Sequence, residues 1–203
     1  MTTDTPDTRS ATGTDHDRDE RLLSRFALAV GITTAIAWLV VRAMERSAEF
    51  DLTGQIETIM PLARIGLLTT PIVVGVRGAI ATIIAWLVAG ALNDRITMRI
   101  IAIGIVTWLP LLELPALVDA VSMLLQPQAG WADAHVPLGL DVLVQGGTPR
   151  MVLLTRTMNL ALLVFTVLVA RHLTRRVSAG LKVAVPTAFA VAAVLVVLPL
   201  LNV

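Results

Sequence analysis

Four charged side chains fall inside otherwise apolar stretches of this chain: Arg77, Glu113, Asp119 and Arg156. In a hydrocarbon environment each is costly, about 2.5–3.5 kcal/mol at the centre of a span on insertion scales. Two positive and two negative charges can offset that cost by pairing. At about 1.5 Å of rise per residue, all four lie in the outer half of a bilayer in the orientation derived below. The charge arithmetic predicts an Arg77–Glu113 pair, with Arg156 near Asp119 or Glu113. Two chemistries fit such a layer. One is a gated polar pathway or small-molecule site: Pro110 and Pro115 flank Glu113, and carbonyls freed by proline beside a carboxylate are a donor set with which broken helices coordinate cations. The other is a neutralised network that fixes helix register, with Asp119 and Arg156 reaching the membrane interface.

A second cluster is basic: Arg171, Arg175, Arg176 and, just beyond, Lys182. It suits anionic lipid headgroups, each basic group being worth roughly 1 kcal/mol near such a surface. It also serves as a plain topology signal. Enzyme chemistries find little to work with. The histidines are His16, His135 and His172, none paired at the spacing of a zinc protease helix and none in the middle of an apolar run. No G-x-S-x-G elbow is present. Gly75-Val76-Arg77-Gly78 sits within an apolar helix pattern and not in a phosphate loop; Ser122 and Ser178 have no evident base; the paired glutamates of intramembrane prenyl-type proteases are missing. Trp108 suits packing better than cofactor stacking. A non-enzymatic protein without cofactor or metal is expected.

The elements that must carry these residues follow from composition. The 203 residues are 56% hydrophobic and 15% charged, with a mean hydropathy of +0.79. Ordinary soluble domains carry about 25% charged residues, so the fold class expected is all-α: a polytopic transmembrane helical bundle. A net charge of +1 carries no basic excess for nucleic acid. The absence of cysteine removes disulfides and thiolate metal sites. Arginine stands where lysine would, apart from Lys182, a bias that suggests a prokaryotic source and hence a prokaryotic cell membrane.

Residues 1–20 are polar, rich in Thr and Asp, and read as a disordered tail and not as a secretory signal. The transmembrane domain then occupies 21–203, with spans at about 22–44, 68–92, 98–125, 151–173 and 181–203. Residues 45–66 interleave Phe50, Ile56, Met60 and Ile65 with Glu49, Asp51, Glu57 and Arg64, an amphipathic pattern suited to the membrane surface or to packing on the bundle. Pro71 is placed near the start of the second span, where proline is tolerated. Pro110 and Pro115 predict a kink or two half-helices in the third. Residues 126–150 form an outer loop. Three stripes of small residues recur every four positions, Ala27/Gly31/Ala35, Ala81/Ala85/Ala89 and Ala184/Ala188/Ala192, a spacing that lets helices approach closely.

Orientation follows from counting basic residues in alternate segments. With the N-terminus inside, the inner segments hold Arg9, Arg18, Arg21, Arg25, Arg95, Arg99, Arg171, Arg175, Arg176 and Lys182; the outer ones hold Arg42, Arg46, Arg64 and Arg150. With five spans, ten against four favours the N-terminus in and the C-terminus out. Arg42 and Arg46 oppose it, and a four-span alternative lays the first apolar run on the surface.

This layout resembles the Yip (Ypt-interacting protein) family over roughly two-thirds of the chain, most closely from Pro71 onward. The carriers are a second span ending Trp86-Leu-Val-Ala-Gly90 with a short polar turn, Gly104 followed by Leu109-Pro110-Leu111-Leu112, a longer loop, a fourth span, the basic turn and a final apolar helix. Eukaryotic members carry an Asp-Leu-Tyr-Gly-Pro type motif before the first span; Asp51-Leu52-Thr53-Gly54 follows the first span, lacks Tyr and Pro, and transfers nothing. The resemblance implies a non-catalytic membrane protein that organises or scaffolds membrane components, with lipids, other membrane proteins or a second copy as partners. The alternative is a small transporter or permease subunit using Arg77, Glu113, Asp119 and Arg156.

Overall fold

The computed structural model describes residues 9–51, 54–92, 96–129, 155, 157–176 and 180–200. Among these the regular elements are helices: α1 (Arg9–Ala48), α2 (Gln55–Ala91), α3 (Met98–Trp108), a 3₁₀ segment (Leu109–Glu113), α4 (Leu114–Leu125), a 3₁₀ turn (Pro127–Ala129), α5 (Leu160–Thr174) and α6 (Leu181–Leu200). Four stretches are long and apolar enough to cross a membrane: Asp19–Ala48, Ile56–Ala91, Met98–Leu125 and Leu181–Leu198; Leu160–Thr174 is apolar but shorter. Large apolar side chains face outward on these helices, among them Leu28, Leu68, Ile72, Leu163 and Phe189. Water would drive such a surface inward, whereas lipid accepts it. The chain is an all-α bundle and an integral membrane protein.

The helix of α1 begins well before the first apolar residue. Residues 1–8 lie outside the described part, but from Arg9 onward the polar segment read as disordered continues α1. Paired side chains supply what apolar burial does not: Asp17 bonds Arg21 one turn on at 2.6 Å, and Asp19 reaches Arg99 at the start of α3 at 3.1 Å.

Residues 45–66 are not a separate surface helix. They comprise the end of α1, a turn, and the first turns of α2. Gly54 takes a left-handed backbone (φ 69°) to make the turn, and Asp51 Oδ2 accepts from the Ile56 amide at 2.7 Å, satisfying one of the free donors at the start of α2. Pro71 therefore sits deep inside α2 and not at its start. A proline there removes one helical hydrogen bond. Just before it, Thr69 Oγ1 donates to the Ile65 carbonyl at 3.0 Å and Thr70 Oγ1 to the Gly66 carbonyl at 2.9 Å. These hydroxyls bond the two carbonyls just before that of Leu67, the one that Pro71 deprives of its amide.

Two apolar cores hold the bundle. The larger joins Val74, Ala81, Ala85 and Ala89 of α2 to Ile101 and Ile105 of α3, Phe165 and Val169 of α5, and Ala184, Ala188 and Val191 of α6. The smaller gathers Val41, Ala43 and Met44 at the end of α1, Ile56 and Met60 at the start of α2, and Ala120 and Met123 of α4. Helices that follow one another in the chain thus run antiparallel, while α1 lies parallel to its neighbour α3–α4. The starts of α1 and α3 and the end of α5 meet at one end, and the end of α1, the start of α2 and α4 meet at the other. Two of the three small-residue stripes are buried where α2 meets α6. The third, Ala27/Gly31/Ala35, faces out of the bundle.

Candidate functional site

The third span is one continuous helical run whose α-helix is interrupted by a 3₁₀ turn where its prolines predict a kink. Pro110 lies in the first turn of the 3₁₀ segment and Pro115 in the first turn of α4. Proline is compatible with such positions because the amide it lacks has no helical partner there. Glu113 ends the 3₁₀ segment and stands at the N-cap of α4, but its side chain makes no capping bond. It turns instead to α2, where Arg77 Nη1 donates to Glu113 Oε1 at 2.9 Å. The pair joins two elements 36 residues apart in sequence. The carboxylate also gains from the partial positive charge at the α4 N-terminus.

The pair lines one side of a groove of about 320 Å³ between α1, α2 and the start of α4. Thr33, Gly66, Thr70 and Ala116 share its wall. Side-chain exposure of 38% for Arg77 and 28% for Glu113 makes this a pair at the edge of a cleft, not one sealed in a core. Of the carbonyls that proline sets free, that of Leu111 is already taken: the Leu114 amide donates to it.

The other members of the expected charge layer are not gathered here. Asp119 is half-buried on α4, beyond the break, and has an interaction of its own. Arg156 lies outside the described residues, and with it the expected approach to Asp119 or Glu113.

The basic cluster divides in two. Arg171 and Arg175 line one end of an apolar groove between α5 and α6. Arg176 lies with Arg21 and His172 around a hollow of about 130 Å³ near the start of α3. Lys182 is exposed at the start of α6.

Several polar features were not foreseen. His172 packs its ring against Gly104, where an added Cβ would meet His172 Cδ2 at 2.5 Å, and its Nε2 lies 3.3 Å from the Ile100 carbonyl oxygen. Nothing local in the sequence relates residues so far apart. Glu45 bridges Arg42 at 2.9 Å and Arg64 at 3.0 Å, with the Arg42 guanidinium 5.3 Å above the Trp38 ring. The three-residue spacing of Arg42 and Glu45 on one helix was a readable signal for the first contact. Asn159 caps α5, its Oδ1 accepting from the Leu162 amide at 2.9 Å. An asparagine directly before an apolar run is a recognised helix start, and it shortens the fourth apolar helix to 15 residues.

No protein-family model, curated protein or solved structure matches the chain.

Proposed function

We propose that this chain is a non-catalytic organiser of a prokaryotic cell membrane, with a Yip-like layout of five spans and its N-terminus inside, acting on lipids, other membrane proteins or a second copy of itself. The observation that carries this reading is the engagement of Glu113. The carboxylate beside the helix break is held by Arg77 at 2.9 Å, and the Leu111 carbonyl nearby already accepts a backbone amide. A cation would have to compete with the arginine's charge for that carboxylate. The antiparallel order of helices and the excess of basic residues at the end where α1 and α3 begin support the orientation. The short α5 spans about 22 Å at 1.5 Å per residue, so a fifth crossing of a core about 30 Å thick needs the residues before Asn159 as well.

Transport is the second reading, favoured by the groove that the same pair lines. The two separate in proteoliposomes. An organiser carries no flux of protons or alkali cations beyond that of an R77Q/E113Q variant. A flux that the wild type supports and Glu113→Gln removes makes the chain a transporter. Topology is tested by single-cysteine labelling, on a background free of native cysteine. Probes in the tail, at Asn93 and at Ser178 should label from inside, and those at Gln55, Gln145 and the C-terminus from outside. If the tail and Gln55 label from the same side, the first run does not cross and the Yip-like layout falls.

A further inference from the structure

An apolar groove runs along the outer seam of α5 and α6. It consists of two hollows of about 450 and 680 Å³ that share Leu163, Thr166 and Phe189 and so form one continuous channel, open to the side. Leu163 and Phe189 are among the most exposed apolar side chains of these helices, at 60% and 63%. The groove follows α5 over all 15 of its residues, about 22 Å at 1.5 Å per residue. One leaflet of hydrocarbon is about 15 Å thick, so the seam accommodates an acyl chain over its whole length.

Arg171 and Arg175 close the groove at one end, exposed and one helical turn apart. Among the described residues neither meets a carboxylate. Like charges at this spacing repel each other along a helix, and an anion seated between them relieves that repulsion. Guanidinium forks match phosphate oxygens in a bidentate manner. We infer that the α5–α6 seam binds an anionic phospholipid, with an acyl chain in the groove past Val167, Leu163 and Phe189 and its phosphate held by Arg171 and Arg175. Arg176 and Lys182 stand off the groove and take no part. The inference rests on the chain being an integral membrane protein and not on the role proposed for it above.

Two arginines near an anionic headgroup, at roughly 1 kcal/mol each, correspond to about a 30-fold preference over a zwitterionic lipid. The test is native mass spectrometry of the full chain taken from vesicles of equal phosphatidylglycerol and phosphatidylcholine. The wild type should retain phosphatidylglycerol selectively. R171Q/R175Q should lose the selectivity about 30-fold. R171K/R175K, which keeps the charge that orients the helix, should lose part of it. R176Q/K182Q should keep it. Leu163→Trp, which fills the groove without touching the arginines, should lower retention of both lipids. Equal retention of the two lipids by the wild type overturns the proposal. So does selectivity that survives R171Q/R175Q or retention that ignores Leu163→Trp, because arginines that only mark topology would select no headgroup.

Discussion

Glu113→Gln keeps the shape of the side chain and removes its charge, leaving Arg77 alone within α2. Within the apolar part of α2, which begins near Leu68, Arg77 stands nine residues from one end and 14 from Ala91 at the other, about 14 and 21 Å along the helix. Its side chain cannot bridge either distance to water along the helix. An unpaired charge at such depth costs about 2.5–3.5 kcal/mol on insertion scales. The 38% exposure of Arg77 toward the groove admits some relaxation, so about 2 kcal/mol of destabilisation is expected. Arg77→Gln should cost less, about 1–2 kcal/mol, because the partial positive charge at the start of α4 still favours the Glu113 carboxylate. R77Q/E113Q should return to within about 1 kcal/mol of wild type, since removing both charges leaves neither without its partner. The coupling in this double-mutant cycle is then about 2–4 kcal/mol, above the roughly 0.6 kcal/mol average of interhelical hydrogen bonds in membranes. Reversible unfolding in mixed micelles, followed by circular dichroism, measures it. Single variants within about 0.5 kcal/mol of wild type, with coupling near zero, would refute the reasoning: the pair would then be a surface contact bathed by the groove.

Gly104→Ala should destabilise by about 1–3 kcal/mol through overpacking, since its Cβ would fall 2.5 Å from the His172 ring; combined with His172→Ala the penalty should vanish in the same unfolding assay. Ala85→Leu forces a large side chain into a position with no exposure at the α2–α6 contact and should cost about 1–3 kcal/mol or prevent folding, read by thermal aggregation in detergent. Asn159→Ala removes the cap of α5 and should lower stability by about 1 kcal/mol, with faster hydrogen exchange confined to the first turn of that helix. Ser47→Ala should be neutral or stabilising by up to about 1 kcal/mol, because the Ser47 hydroxyl is buried without a hydrogen-bond partner; a loss of stability would mean that the hydroxyl has a partner in the folded protein.

The sequence was most legible where the physics is local. The third helix pair runs Met98–Leu125, the bounds expected from its apolar run, and its α-helix is interrupted at the prolines. The pairing of Arg77 with Glu113 followed from counting intramembrane charges, because hydrocarbon leaves an isolated charge few alternatives. The start of α2 was less legible. Residues 55–66 alternate charged and apolar side chains, which resembles a surface helix. Their true continuation into the span depends on the Asp51 cap and on Ile56 and Met60 packing against Met44 and Met123, contacts that span the length of two helices. The polar segment after Arg9 was misjudged for the related reason that its support comes partly from Arg99, distant in sequence.

By itself the sequence determined that this chain is helical, membrane-embedded and interrupted at Pro110–Pro115, because run length, proline geometry and the cost of buried charge all act over a few residues. Only the tertiary structure decided which faces meet. Three small-residue stripes share one spacing, yet two are buried between α2 and α6 and one faces outward. Four basic residues cluster within twelve positions, yet two guard a groove and two do not. Spacing along a helix says which side chains share a face; what that face touches is set by the packing of every other helix.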